Sequence, residues 1–312
     1  MVWRHTHTMT TGFSAGIFPG QGSQAVGMGR ELSEREPIVR DTFAEADAVL
    51  GFALSTLCFD GPAEELKRTS IAQPALVTMS TALARLLAAR GETLDVVAGH
   101  SLGEYSALVA ARALAFTDAV ALVRRRGLLM EDAAAAHPGG MAAILGLPDA
   151  DVIALCAEVA AAHGTLVPAN FNSPGQVVVS GATDAIAAVR VAAKARGGRA
   201  MPLAVSGPFH SPLMQSAADA FAAVLAEVPL AAPRIPVIPN VTAEATTDPA
   251  VLRDALARQI TGSVRWTATL LAMRDMGVHA FLEIGPGNVL VGLVQRTLPD
   301  AATRTAAEIT AV

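Results

Sequence analysis

One serine of the sequence stands in the pattern of an activated nucleophile. Ser101 is the central residue of a Gly-x-Ser-x-Gly motif at 99–103, which follows an apolar run at 94–99 and precedes a helical pattern that ends near Ala111. A sharp strand-to-helix turn lifts such a hydroxyl above the sheet edge. The Leu102 N–H would then lie at a helix N-terminus, where it can stabilise an oxyanion. The alternative is a loop with an incidental serine, and the flanking strand and helix favour the nucleophile.

A serine nucleophile needs a base, and histidine supplies it most often. His210 lies in a loop constrained by glycine and proline, residues 206–214, at the end of an inserted subdomain that the sequence predicts. Clefts between domains are common binding sites, so we favour His210 as the base over a purely structural histidine. The other six histidines lie in the N-terminal tail, beside the nucleophile, or at the ends of predicted elements, namely His5, His7, His100, His137, His163 and His279.

Three consecutive arginines, 124–126, lie on a helix predicted over about 117–133. The apolar face of this helix is formed by Val120, Val123, Gly127 and Met130. At ~100° per residue, Arg125 falls nearly opposite this face and is expected to be solvated, whereas Arg124 and Arg126 flank it. The pattern does not decide between those two, and three surface arginines are the alternative.

Several glycine- and proline-marked segments have competing interpretations. Residues 20–25 match the Gly-x-Gly-x-x-Ala dinucleotide fingerprint, but the acidic residues ~20 positions further on lie in a helical run rather than at a strand end. We therefore expect this loop to supply a backbone amide. Pro74, in Gln73-Pro74, is expected to open a helix. Residues 285–287 end a strand and either border the pocket or form a plain turn.

The elements that must position these residues follow an α/β pattern. Buried strands are predicted at 16–19, 96–99 and 280–284, alternating with helices, which indicates a mostly parallel sheet. After the helix predicted over about 117–133, the order changes to strand–helix–strand–strand–helix–strand. This order is typical of a ferredoxin-like unit. Its strands are predicted at 141–147, 166–172, 176–180 and 200–205, and its helices at 149–163 and 183–195. We predict an inserted subdomain at 141–206 and a large domain formed by 13–140 and 207–312.

Composition restricts the class of protein. The chain has 312 residues, of which 52% are hydrophobic, and a mean hydropathy of +0.43. Its apolar runs are shorter than the ~20 residues of a membrane span, so no membrane association is expected. A net charge of −5 argues against nucleic-acid binding. The two cysteines, Cys58 and Cys156, lack metal-ligand spacing, which predicts no disulfide framework, no metal and a reducing cytoplasm.

The N-terminal residues 1–12 are expected to form a disordered extension. They are mostly polar and lack the ~7–15-residue apolar core of a secretory signal. Met9 is an alternative start. A monomer is the default expectation for the assembly.

These motifs together resemble a known family, the malonyl-CoA:acyl carrier protein transacylases and the related acyltransferase domains of polyketide synthases. The resemblance spans almost the whole chain in the family's order. The matching segments are Phe18–Gln24, Gly99–Leu108, Arg126-Gly127, Gly207–Met214, Arg258-Gln259 and Glu283–Gly287. The resemblance implies an α/β-hydrolase-like large domain with a ferredoxin-like insertion.

The resemblance also implies roles for individual residues. It implies a Ser101–His210 dyad without a catalytic acid, with a main-chain carbonyl at or near Gln259 orienting the imidazole. The N–H groups of Gln21 and Leu102 are implied to form the oxyanion hole. The family's Arg-Gly pair selects Arg126 as the residue that binds the acyl carboxylate. A phenylalanine before the catalytic histidine, as at Phe209, resembles the malonyl-selecting members of the family. Met130 is assigned to the same acyl pocket.

The function implied is ping-pong transfer of a malonyl group from coenzyme A to the phosphopantetheine thiol of an acyl carrier protein, for fatty acid or polyketide synthesis. No resident cofactor is expected. The alternatives are a malonyl transferase subunit of a malonate decarboxylase, a serine esterase or thioesterase, and a non-enzymatic interaction module. An esterase would show no preference for an acidic acyl group, and an interaction module would form no acyl-enzyme.

Overall fold

The computed structural model describes residues 13–311, so the extension predicted at 1–12 lies outside the described residues. Runs of helices separate the strands at the start of the chain and again after residue 214. In chain order they are β1 (Phe13–Phe18), α1 (Arg30–Arg35), α2 (Pro37–Leu50), α3 (Leu54–Asp60), α4 (Ala63–Lys67), α5 (Thr69–Ala89), β2 (Val96–Gly99), α6 (Gly103–Ala110), α7 (Phe116–Ala136), β3 (Gly139–Leu145), α8 (Asp149–His163), β4 (Leu166–Ser173), β5 (Gln176–Ala182), α9 (Thr183–Ala195), β6 (Arg199–Pro202), α10 (Gln215–Ala226), α11 (Pro249–Gln259), α12 (Trp266–Asp275), β7 (Val278–Glu283), α13 (Val289–Thr297), β8 (Ala302–Thr305) and α14 (Ala306–Thr310).

The sheet of the large domain is parallel throughout, with the strand order β2-β1-β7-β8. A short stretch around Val237 pairs with Val97 on the open side of β2. Successive side chains of a strand point to opposite faces. Ile17 and Ala98 accordingly pack on the α12 and α13 side, while Phe18 contributes to the core formed with α5, α6 and α7. The predicted α/β fold with a parallel sheet is confirmed.

The second sheet is antiparallel, with the strand order β4-β5-β3-β6. Helices α8 and α9 cover it and share with it a separate apolar core. Strands and helices follow each other in the predicted order of a ferredoxin-like unit. The last strand is shorter than the predicted 200–205, because its ladder to β3 ends at the Ala142–Pro202 pair and the chain then turns toward the loop that carries His210.

Pro74 does not open a helix, and this expectation is corrected. Helix α5 begins five residues earlier, at Thr69, and Pro74 lies inside it. Proline has no N–H, so the Ser70 carbonyl four residues before it loses its intrahelical donor. The Arg124 guanidinium replaces that donor at 2.7 Å. Arg124 therefore satisfies the helix carbonyl that Pro74 leaves without a donor.

Helix α5 is also the one helix among the described residues that is long and apolar enough to cross a membrane. Its most apolar window is 83% buried within the protein, and it packs between α2 and α7. Helix α5 is therefore a core helix and not a membrane span.

Candidate active site

The serine motif forms a sharp turn between strand and helix. β2 ends at Gly99, α6 begins at Gly103, and Ser101 between them has a φ of 50°, in the left-handed region that non-glycine residues seldom occupy. A Cβ on Gly99 would overlap the Gly103 backbone, and a Cβ on Gly103 would overlap the Phe18 carbonyl. The two glycines are therefore required by the close approach of β1, β2 and α6.

The turn brings the serine to a histidine that lies 109 positions further along the chain. Ser101 Oγ is 2.7 Å from His210 Nε2. His210 Nδ1 lies 2.9 Å from the Gln259 carbonyl and 3.1 Å from the Gly262 carbonyl. Carbonyl oxygens only accept hydrogen bonds, so Nδ1 carries the proton and Nε2 can accept the serine proton. This tautomer is the one that a general base requires.

The partners of His210 explain how the pair works without an acid. Gln259 is the last residue of α11, so its carbonyl belongs to the negative end of a helix dipole. Such a carbonyl orients the ring, and its partial charge stabilises the imidazolium that forms after proton transfer. The Gln259 carbonyl thus occupies the position that the resemblance implies.

The pH dependence of the reaction should reflect the burial of His210. Burial and the positive charge of Arg126 lower the pKa of His210 to about 4, against the opposing effect of the Gln259 carbonyl. The base is therefore neutral well below the ordinary histidine pKa of ~6.5. We expect kcat/KM for acyl-CoA to stay near its plateau through the ordinary histidine range and to fall only as the pH approaches the His210 pKa of about 4. A pH profile from 4.5 to 8 tests this, with circular dichroism to verify the fold, and an acid limb centred at 6.5 or above would contradict it.

Arg126 is buried beside the dyad. Its side chain is 1% exposed, and Nη2 donates to the Gln259 side-chain oxygen at 3.0 Å. Arg126 Nε has no hydrogen-bond partner among residues 13–311. Arg125 is exposed, as predicted, and Arg124 is held at α5. The alternative of three surface arginines is therefore wrong for Arg126.

The glycine of the Arg-Gly pair explains why Arg126 reaches the interior. A Cβ on Gly127 would lie 2.6 Å from Ser70 Cα and 2.8 Å from the Thr69 carbonyl. The missing side chain allows α7 to pack directly on the first turn of α5. This contact fixes the rotation of α7, and it directs the preceding residue, Arg126, inward.

Of the two residues assigned to the oxyanion hole, Leu102 lies in the turn and Gln21 lies in the loop after β1. Leu102 precedes α6, so its N–H has no intrahelical acceptor. The loop that carries Gln21 packs on the turn, because a Cβ on Gly20 would lie 2.5 Å from the His100 carbonyl. The Gln21 side chain donates to Thr69 Oγ1 at 3.2 Å. The oxyanion role of both N–H groups stays a prediction.

The other predicted pocket residues, Phe209 and Met130, are both buried. Phe209 is adjacent to His210 and belongs to the main core, and Met130 Sδ lies 3.5 Å from Gln73 Nε2. Their contact with an acyl group stays a prediction. His100 Nε2 lies 2.8 Å from Asn172 Oδ1 on β4, which joins the turn to the antiparallel sheet.

Two buried residues of the site were missed by sequence reasoning. The Glu104 carboxyl accepts hydrogen bonds from the Asn240 N–H at 2.7 Å and from the Gln259 side-chain amide. Burial raises the pKa of Glu104 to about 8, against the Asn240 N–H and Arg126, which lower it. Asn240 itself is fully buried. The sequence signal that could have indicated Asn240 is its position directly after the apolar run 235–239. In the structure this run lies beside β2, so that Asn240 is level with the end of that strand.

A serine–histidine pair on a strand-to-helix turn of a parallel sheet defines an α/β enzyme that acts through a serine nucleophile. A family model described as the acyl transferase domain matches residues 16–311, and the chain belongs to this family.

Named relatives are similar over nearly the full chain. The malonyl CoA-acyl carrier protein transacylase of Salmonella typhimurium is 49% identical over 283 residues, which are 90% of this chain and 91% of the relative. The crystal structure of an acyl carrier protein S-malonyltransferase from Vibrio cholerae superposes with a TM-score of 0.90 at 48% identity, covering 94% of this chain and 96% of that one. A malonyl-transacylase in complex with a type II PKS acyl-carrier protein gives a TM-score of 0.90 at 44% identity, covering 94% and 95%.

Proposed function

We propose that this enzyme transfers a malonyl group from coenzyme A to the phosphopantetheine thiol of an acyl carrier protein. The observation that carries the proposal is the buried Arg126, whose guanidinium bonds Gln259, the residue that also orients His210. A buried cation without a carboxylate bonded to it is costly unless a ligand supplies the anion. A carboxylate at the far end of a short acyl group fits that requirement, and the names of the relatives support the same choice.

In the first half-reaction, His210 Nε2 takes the proton of Ser101 Oγ as the oxygen attacks the thioester carbonyl carbon. The oxyanion that forms is stabilised by the N–H groups of Leu102 and Gln21. The carbon–sulfur bond then breaks, and coenzyme A leaves as a thiol with the proton from His210. The malonyl group remains on Ser101 as an ester.

In the second half-reaction, the phosphopantetheine thiol gives its proton to His210 and attacks the ester carbonyl. Ser101 leaves and recovers the proton, so the enzyme returns to its starting state. We propose that the cycle needs no resident metal or cofactor, because the dyad, the backbone N–H groups and Arg126 supply every proton transfer and charge contact. The named residues all come from one chain, which supports a working monomer.

Arg126 also separates this proposal from a serine esterase. A simple esterase would gain nothing from a buried guanidinium in its acyl pocket, because neutral acyl groups carry no charge to pair with it. The relatives include the partner of a type II PKS carrier, so the proposal covers carriers of fatty acid and polyketide synthesis alike. Buried, unpaired thiols at Cys58 and Cys156 support a cytoplasmic location.

Replacing Arg126 by alanine should lower kcat/KM for malonyl-CoA by at least ~10–100-fold, because hydrogen bonds to charged groups contribute roughly 1.5–3 kcal/mol. The planar guanidinium can hold a carboxylate through two parallel bonds. Acetyl-CoA lacks the carboxylate, so its kcat/KM should be unchanged or higher. Steady-state kinetics with both substrates measure this selectivity ratio.

Arg125→Ala is the matched control, since Arg125 lies on the same helix with its side chain in solvent. It should keep the wild-type ratio. Retention of the malonyl preference by Arg126→Ala would reduce the substrate assignment to an acyl-CoA of unspecified type.

A further inference from the structure

The backbone N–H of the nucleophile is held by a side chain from a distant segment. Asn240 Oδ1 accepts a hydrogen bond from the Ser101 N–H at 2.7 Å, and Asn240 Nδ2 donates to the Gly99 carbonyl at 2.7 Å. The two contacts are made to the consecutive peptide groups on either side of His100, just before the Ser101 side chain. Both partners are backbone groups of fixed polarity, so the orientation of the amide is determined by its neighbours.

Asn240 is itself rigidly placed. Its N–H donates to Glu104 Oε1 at 2.7 Å and its carbonyl accepts from the Arg265 N–H at 3.0 Å. The preceding residues, 236–238, pair with Val97 of β2. All four polar groups of Asn240 are therefore engaged in the interior, and the residue is fully buried. Such a fully satisfied group can fix the position of its neighbours.

The contact with Ser101 has a consequence for the oxyanion hole. Some serine enzymes use the N–H of the nucleophile itself to stabilise the oxyanion. Here Asn240 occupies that N–H, which leaves the next one along the chain, at Leu102, for the substrate. The same contact opposes relaxation of Ser101 out of its left-handed backbone conformation, whose φ is 50°.

We infer that Asn240 is a positioning residue, which holds the strained turn so that Ser101 Oγ points at His210 Nε2 and the Leu102 N–H points at the substrate. The inference rests on the serine nucleophile of the proposed function. It does not depend on which acyl group the enzyme carries.

The test measures the reactivity of Ser101 with an aryl fluorophosphonate, which labels activated serines whatever the natural acyl donor. Asn240→Ala should lower the second-order labelling rate and the rate of acylation by malonyl-CoA by roughly 10–100-fold each, the scale expected for a misplaced reacting atom. The KM for malonyl-CoA should change little, because Asn240 touches the turn and not the acyl group.

Asn240→Asp gives a signature that a merely structural role would not produce. A neutral carboxylic acid can donate to the Gly99 carbonyl and accept from the Ser101 N–H, as the amide does, whereas a carboxylate cannot donate. Burial and the adjacent Glu104 favour the neutral form as the pH falls. The labelling rate of Asn240→Asp, divided by that of the wild type, should therefore rise as the pH falls from 8 to 5.

The charged or titratable groups near this point are Glu104 on α6, His100 and His210 beside the turn, and Arg126 on α7. The wild type carries the same groups, so the ratio cancels their own titration. Asn240→Ala should show a ratio that does not change with pH.

Thr42→Val is the control for loss of a buried hydrogen bond far from the site, since Thr42 on α2 is fully buried and donates to the Ile38 carbonyl. It should lower the melting temperature and leave labelling unchanged. A pH-independent ratio for Asn240→Asp, or wild-type labelling of Asn240→Ala, would overturn the inference. If the fluorophosphonate labels Ser101 but malonyl-CoA forms no adduct with the wild type, the proposed function fails while the role of Asn240 stands or falls on labelling alone.

Discussion

Replacing Ser101 by alanine is expected to abolish the covalent malonyl adduct that the wild type forms with malonyl-CoA. The Ser101 hydroxyl lies 2.7 Å from His210 Nε2, and the proposed ester can form only on that oxygen. Alanine should tolerate the strained turn about as well as serine does, because Asn240 and Gln259 hold residue 101 through its backbone N–H and carbonyl. The variant should therefore fold, bind malonyl-CoA through Arg126 and remain at its unmodified mass. Intact-mass spectrometry after mixing makes the comparison directly.

Ser33→Ala is the matched control, since Ser33 is a buried serine on α1 whose hydroxyl donates to the Arg30 carbonyl at 2.7 Å. It should acquire the adduct at the wild-type rate. A malonyl adduct of normal yield on Ser101→Ala would show that the nucleophile is another residue.

Replacing His210 by alanine should slow acylation by ~10²–10⁴-fold, the usual contribution of a general base. The serine hydroxyl would then have to lose its proton to water. The backbone contacts of the oxyanion hole would remain, so the variant should retain slow acylation rather than none. Single-turnover measurements with malonyl-CoA isolate this step from later transfer to the carrier.

His279→Ala provides the comparison, because His279 is an exposed histidine on β7. It should acylate at the wild-type rate. If His210→Ala acylated within a few-fold of the wild type, the base would have to be assigned to another group.

The parts of the molecule that local patterns determine could be predicted from the sequence. Helices α8 and α9 have the predicted bounds, and β2 does as well, because glycine and proline punctuation and apolar periodicity act over a few residues. The turn at Ser101 followed for the same reason. Its two flanking glycines are fixed by contacts within β1, β2 and α6.

The parts that depend on tertiary packing could not be predicted from local pattern alone. Periodicity left Arg124 and Arg126 equivalent, and the contact of Gly127 with α5 distinguishes them. Pro74 was misplaced because the compensating donor, Arg124, lies 50 positions away along the chain. Asn240 was missed since its role arises only where its segment lies beside β2. A side-chain amide that hydrogen-bonds backbone groups far away in the sequence produces no periodic sequence pattern.

The buried polar groups around the turn form one hydrogen-bonded network. Glu104 receives hydrogen bonds from both Asn240 and Gln259, and the Gln259 side-chain amide also donates to the Ser101 carbonyl at 2.9 Å. Both polar groups of the nucleophile's backbone are therefore held by carboxamides. Buried networks of this kind stabilise one arrangement when every member is satisfied. The site is thus preorganised before any acyl group enters.

The central claim is transfer of a malonyl group through Ser101 to a carrier thiol, and a two-step intact-mass experiment tests it most directly. The wild type is mixed with malonyl-CoA, freed from excess donor, and divided between buffer, a carrier protein without phosphopantetheine, and the same carrier in its holo form. We expect the enzyme to gain one malonyl group and to lose it rapidly only to the holo carrier, which gains the same mass. Absence of the adduct, or its loss to water at one rate in all three samples, would contradict the account.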